Sequence, residues 1–335
     1  MRQAFLDGTG RVVLREVAPP PLRDNGVLTL TVCSAVSVGT ETGWVKERVA
    51  APDPQGTEQA LGYSNCGTVV AVGPGCDKPA RPGDLAACGG TGIATHAQCC
   101  SAPRHMFAPV PVGVQPEEAA FTTLGINAMH GVRHGRIGLG DVVVVLGTGF
   151  IGQMAAQMAR LSGAHVAVVG HSSEKRLGVA QEMGAQKVVL SSQEDPVQAV
   201  LDWTEGLGAD VVLMCAGSDD PGIVAQCLGM VRKNGRVVIV GLAPLQVPFY
   251  LWHRKEAELL ISRAYGPGRH EPDYEEGRTD YPPHFVRWTL NRNMREFLRL
   301  LAEKRLRVRP LITHEFPLAE IESAFQVALQ HPEQA

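Results

Sequence analysis

The stretch Asp141-Val-Val-Val-Val-Leu-Gly147-Thr-Gly149-Phe-Ile-Gly152 decides the fold. Its apolar run, Val142 to Leu146, reads as a strand buried on both faces, and helical spacing follows over Gln153 to Leu161. Between them lies a Gly-x-Gly-x-x-Gly turn. Gly147 permits the tight turn, Gly149 lets backbone N–H groups approach a pyrophosphate at the positive end of the helix, and Gly152 lets helix and strand pack closely. Strand, glycine turn and helix in this order bind a dinucleotide, so Gly147, Thr148, Gly149, Phe150, Ile151 and Gly152 are the first cofactor candidates. The unit does not open the chain, because about 120 residues of different character precede it.

Working outward, strand-like runs recur at Val166 to Val169, Lys187 to Leu190, Asp210 to Met214, Arg236 to Val240 and Leu259 to Ile261, with helices between most of them. With Val142 to Leu146 they predict a six-stranded, doubly wound parallel sheet over residues 123–267. Residues 1–122 instead alternate short β-like runs (Arg11 to Glu16, Val27 to Ser34, Gly67 to Val72, Leu85 to Cys88) with Gly- and Pro-rich turns, which predicts a small irregular β domain. Residues 268–293 are polar and aromatic without period and read as a surface excursion. Met294 to Lys304 and Leu318 to Leu329 have helical spacing, and Pro310 to Thr313 reads as a strand. Residues 268–335 are expected to complete the β domain.

The chain's 335 residues, 44% hydrophobic and 19% charged, suit two globular domains with separate cores. A net charge of -3 offers no basic field for nucleic acid. No apolar run approaches the ~20 residues of a membrane span, and Met1-Arg-Gln-Ala-Phe-Leu-Asp-Gly8 lacks a secretory signal's apolar core. A cytoplasmic location and a small-molecule substrate are expected. Eight cysteines without a Cys-x-x-Cys pair read as free thiols rather than a disulfide framework.

The order of these parts resembles the medium-chain dehydrogenase/reductase superfamily, an α/β architecture with a GroES-like β domain and a Rossmann doubly wound parallel sheet. The resemblance rests on Ser37-Val-Gly-Thr-Glu41, Leu61-Gly-Tyr-Ser-Asn-Cys-Gly67, Val72-Gly73, Pro82-Gly-Asp84, the glycine fingerprint and Asn234-Gly-Arg-Val-Val-Ile-Val-Gly241. Gly62-Tyr-Ser-Asn, Ala264-Tyr-Gly-Pro-Gly-Arg269 and Val286-Arg-Trp-Thr look like a sub-group often fused to a second, sugar- or cyclitol-type oxidoreductase module, which this chain lacks. The resemblance implies a homodimer paired through the edge strand near Leu259 to Ala264. Zinc members carry metal ligands where this chain has Val38, Tyr63 and Leu124, none of which binds zinc. The structural zinc lobe is also missing: Cys88, His96, Cys99 and Cys100 stand in its region. They read as small buried thiols and a satisfied strand histidine. No metal is expected.

Without zinc, a carbonyl receiving hydride needs another donor at its oxygen. By resemblance Thr40 is the proton-relay hydroxyl, and Tyr63, in place of a metal-binding histidine, is the acid or oxyanion stabiliser. The alternative is that Tyr63 merely fills the space left by zinc and hydride positioning suffices, as in zinc-free quinone reductases. Glu41 is a candidate substrate contact, although a buried hydrogen-bonding role is the stronger reading. Arg263, Tyr265, Arg287 and Trp288 could line a pocket for an anionic or polyhydroxylated substrate, or belong to a solvated surface. At the second strand's end, His171 takes the place of the usual ribose-binding acid, and Ser172, Ser173, Lys175 and Arg176 suit a 2′-phosphate, which favours NADP(H) over NAD(H). A small shift of register would bring Glu174 to the ribose instead. Ala216, Gly217 and Gly241 complete the cofactor set.

The expected protein is a zinc-independent NADP(H)-dependent oxidoreductase acting at a carbonyl or alcohol carbon. Quinone, enone or imine reduction, and NADPH binding without catalysis, remain open alternatives.

Overall fold

Antiparallel and parallel strands sort into two compact units in the computed structural model, which describes residues 1–331. Met1–Leu124, Pro267–Lys304 and Val308–Ala335 form the first unit, and Gly125–Gly266 with Arg305–Arg307 forms the second. Arg307 joins the second unit through its own backbone. Its N–H donates to Gln157 Oε1 at 2.9 Å, and its carbonyl accepts from Gln157 Nε2 at 3.1 Å.

The first unit has strands β1 (Arg2–Leu6), β2 (Val12–Glu16), β3 (Gly26–Ser34), β4 (Gln59–Ala60), β5 (Ser64–Val72), β6 (Leu85–Gly89), β7 (Cys99–Pro103) and β8 (Phe107–Pro109). They make an antiparallel sheet β2-β1-β4 and a five-stranded antiparallel sheet β7-β3-β5-β6-β8. The larger sheet encloses Val27, Val69, Ala86, Cys88, Cys100, Ala102 and Phe107. The helix Ile321–Gln330 sets Ile321 and Phe325 against Ala4, Leu6, Val12 and Leu61, so the C-terminal segment helps close this unit's second core.

Two sequence expectations need correction here. Pro310 to Thr313 is not a strand: Arg309–Leu311 is a 3₁₀ turn, consistent with a proline that cannot donate to a ladder. Nor are residues 268–293 wholly superficial. Tyr274 is only 2% exposed, stacks on His105 with ring centroids 4.3 Å apart and donates its hydroxyl proton to Thr289 Oγ1 at 2.8 Å. These partners are distant in sequence, so no local period announces the buried ring.

The second unit has β9 (Val142–Leu146), β10 (His165–Gly170), β11 (Lys187–Leu190), β12 (Ala209–Met214), β13 (Val231–Ile239) and β14 (Glu258–Ile261). All neighbours are parallel, in the order β11-β10-β9-β12-β13-β14. The order reverses between β10 and β12 around β9, which makes the carboxyl end of β9 the switch point where such sheets bind ligands. Val143, Val144 and Val145 are fully buried, as a strand covered on both faces requires.

Candidate active site

The glycine turn at the carboxyl end of β9 is shaped by contacts that only glycine allows. Gly147 has φ +119°, and a Cβ there would lie 2.8 Å from the Ala216 nitrogen. A Cβ on Gly152 would meet the Gly147 carbonyl oxygen at 2.0 Å. Gly149 is different, because nothing lies within 4 Å of where its Cβ would be. It caps the helix Phe150–Leu161 without any side-chain hydrogen bond, at the positive end of a twelve-residue helix. That cradle fits a pyrophosphate.

The neighbouring strand ends converge on it. Thr148 touches Gly170 at the end of β10, where a Cβ would come within 2.7 Å of the threonine methyl. Ala216 N–H donates to the Leu146 carbonyl at 3.0 Å, and Gly241 N–H donates to the Met214 carbonyl at 2.9 Å. A Cβ on Gly241 would strike the Ala216 carbonyl oxygen at 2.0 Å, while Gly217 faces open space. The structure therefore gathers Gly147 to Gly152, Ala216, Gly217 and Gly241 at one end of the sheet.

Beyond Gly170 the segment turns into the helix Glu174–Glu182, capped by Ser173, whose hydroxyl oxygen accepts from Arg176 N–H at 3.3 Å. Gln153 Nε2 donates to the Arg176 carbonyl at 2.8 Å and ties this turn to the helix after the glycines. His171 Nδ1 lies 3.3 Å from Ser191 Oγ, and Glu174 accepts from Gln193 Nε2 at 3.3 Å. Glu174, the residue that a shifted register would bring to a ribose, is thus engaged by β11's following turn. Ser172 and Lys175 are exposed.

In the first unit Thr40 opens the helix Thr40–Ala50, and Tyr63 immediately precedes β5. The two are brought together: the Ser37 and Thr40 hydroxyls lie beside the Tyr63 phenol, close enough for hydrogen-bonding interactions that oppose the upward shift of its pKa. Ser37 is a functional candidate that the motif reading missed. Its only sequence signal is a third hydroxyl near Thr40 and Tyr63. The Tyr63 ring lies against Trp44, with centroids 6.1 Å apart, and is 5% exposed. Burial, reinforced by the Glu41 charge, pushes its phenol up to about 12 against the two hydrogen bonds, so it is neutral at any physiological pH.

Glu41 is not presented to a ligand. Its carboxylate is fully buried and accepts from Ser37 N–H and Gly62 N–H, each at 2.8 Å, and from His96 Nε2 at 3.1 Å. This corrects its assignment as a substrate contact. Arg287 and Trp288 are adjacent in space, the guanidinium 4.1 Å from the indole centroid, whereas Tyr265 is buried in the second unit.

Zinc does not fit the positions where resemblance would put it. Val38 and Leu124 offer no donor atom, and the Tyr63 phenol is held protonated. Among the described residues no three His, Cys, Asp or Glu side chains are grouped to hold a metal ion. His96 has both ring nitrogens engaged, Nε2 by Glu41 and Nδ1 by Ser34 Oγ at 2.8 Å, and it lies outside any strand.

A Rossmann sheet with an open pyrophosphate cradle, carried on the same chain as an antiparallel β unit bearing a buried hydroxyl cluster, defines a nicotinamide-dependent oxidoreductase. The family model described as zinc-binding dehydrogenase matches residues 151–276. A sorbitol dehydrogenase of Halalkalibacterium halodurans is 31% identical over 64% of this chain, the match spanning 57% of that protein. An L-threonine 3-dehydrogenase of Thermococcus kodakarensis is 30% identical over 66% of this chain and 68% of its own length. A dehydrogenase of Sinorhizobium meliloti, solved with NADP bound, superposes with a TM-score of 0.79 over 98% of this chain and 95% of its own, at 22% identity. The chain belongs to the medium-chain dehydrogenase/reductase superfamily and is an NAD(P)-dependent enzyme of it.

Proposed function

We propose that this enzyme is a zinc-independent, NADP(H)-dependent reductase of a carbonyl group on a small polyhydroxylated or anionic metabolite. The observation that carries the reading is the buried Tyr63 phenol with the Ser37 and Thr40 hydroxyls beside it. The nicotinamide supplies hydride at its C4. Tyr63 does the work that a Lewis acid does elsewhere. The Ser37 and Thr40 hydroxyls beside it offset part of the burial that raises its pKa, and its proton can be offered to the substrate oxygen.

Because the phenol stays protonated, it can give its proton to an oxyanion forming on the substrate, and Thr40, at an exposed position, can restore that proton from solvent.

Ser172, Ser173, Lys175 and Arg176 support NADP(H), because hydroxyls and cations beside β10 suit a 2′-phosphate, and Glu174 accepts from Gln193. The polyhydroxylated substrate class draws support from the sorbitol dehydrogenase likeness and from Arg287 beside Trp288. A second reading, reduction of a quinone or an activated C=C bond, is favoured by the packing of Tyr63 on Trp44, which would equally suit a ring that only fills space.

The test is NADPH oxidation with a panel of aldehydes, ketones, quinones, enones and imines, comparing wild type with Tyr63→Phe and Thr40→Val. Carbonyl reduction should fall about 100-fold in Tyr63→Phe, within the range of general acid catalysis, and less in Thr40→Val. Near-full activity of Tyr63→Phe on a quinone or enone establishes the second reading. Failure of every acceptor leaves an NADPH-binding protein without this catalysis.

A further inference from the structure

The candidate acid and its partners lie on two segments far apart in sequence, Ser37–Thr40 and Gly62–Tyr63, and one buried side chain joins them. Glu41 Oε2 accepts the Ser37 N–H at 2.8 Å, while Oε1 accepts the Gly62 N–H at 2.8 Å. Oε1 also meets His96 Nε2 at 3.1 Å. A carboxylate can only accept, so this nitrogen donates, and in the neutral ring Nδ1 accepts the Ser34 hydroxyl proton at 2.8 Å. Neither Glu41 nor His96 has any exposed surface. Gly62 is also closely packed: its φ is +92°, and a Cβ there would lie 2.4 Å from the His96 backbone nitrogen.

We propose that Glu41 is a positioning residue for the Tyr63 hydroxyl cluster, a carboxylate bridge between the Ser37–Thr40 and Gly62–Tyr63 segments, braced by His96. The inference rests on the reading of Tyr63 as proton donor. Two oxygens with about four lone-pair sites serve three donors on three segments, which an amide cannot do, because its NH₂ would face an N–H or the imidazole. Charge-assisted bonds away from water hold tightly, and the phenol is within reach of the same charge. The requirement is stringent: a shift of ~1 Å in a reacting group costs about 100-fold.

The experiment compares wild type, Tyr63→Phe, Glu41→Gln and Glu41→Asp by three readouts: ultraviolet titration of tyrosinate, hydrogen exchange at the Ser37 and Gly62 amides, and NADPH-dependent reduction of glyceraldehyde. Tyr63→Phe identifies, by difference, the Tyr63 component among the five tyrosines, since Tyr281 is also pushed up to about 12. Glu41→Gln should move that component to lower pH, speed exchange at both amides at least ~10-fold and lower kcat about 10- to 100-fold, with KM for NADPH within about twofold. A folded Glu41→Gln protein with wild-type titration and amide protection overturns the proposal. If Glu41→Gln does not fold, Glu41→Asp decides. Its charge should keep the late titration while its shorter reach frees the Gly62 amide, and wild-type exchange there overturns the bridge. Wild-type kcat in Tyr63→Phe would sink the acid reading alone, since titration and exchange still judge Glu41.

Discussion

At the scale of single residues, Tyr63 shows how a buried hydroxyl ties stability to pH. Its phenol titrates near 10 in an unfolded chain and is pushed up to about 12 here, mainly by burial and then by the Glu41 charge. Between those values the unfolded chain has lost this proton and the folded one keeps it, so stability is fully present below about pH 10 and falls as pH rises to about 12. The loss is on the order of 3 kcal/mol. Cys33, Cys215 and Cys227 are also pushed up to about 12 by burial and add to the alkaline loss, so the difference between variants isolates the tyrosine. Urea unfolding of Tyr63→Phe across this range should show a shallower alkaline fall than wild type. Parallel curves would mean that the phenol is not buried as described. Motif reading singles out Tyr63 and Thr40 as candidates, but not Ser37 or the His96 support. Glu41 and His96 are 55 positions apart, and no periodicity encodes a hydrogen bond across that span.

At the scale of elements, the most legible parts are those whose local pattern and burial agree. Val142 to Leu146 followed by the glycine turn specifies strand, turn and helix without outside help, because both faces of the strand must be apolar and three glycines are sterically required or leave room. The segment 268–293 was illegible for the opposite reason: Tyr274 stacks on His105, far away in the chain, and bonds to Thr289 fifteen residues on, a spacing that no local period announces. The edge strand β14 bears on assembly. It exposes Leu259 at 37% and Ile261 at 53% beside an unpaired backbone edge, a combination that soluble proteins ordinarily cover. We propose that a second copy covers it by two-fold strand pairing. Sedimentation equilibrium should give twice the 35.9 kDa chain mass for wild type and the single mass for Ile261→Lys. A wild-type monomer rejects the pairing.

At the scale of the whole molecule, the chain keeps the superfamily's fold, and resemblance assigns Val38, Tyr63 and Leu124 to the positions of its metal ligands. The order of a β domain before a Rossmann domain was legible because each has its own hydrophobic period. The substrate was not, because Tyr265, Arg287 and Trp288 come from irregular segments whose placement depends on tertiary contacts. No helix among the described residues is long and apolar enough to cross a membrane.

The most direct test of a zinc-independent NADP(H) enzyme is elemental analysis of the purified protein, joined to fluorescence titration with NADPH and NADH before and after exhaustive chelation. The account predicts zinc far below one atom per chain, NADPH bound at least ~10-fold more tightly than NADH, and no change on chelation. Stoichiometric zinc whose removal abolishes turnover, or a preference for NADH, would contradict it.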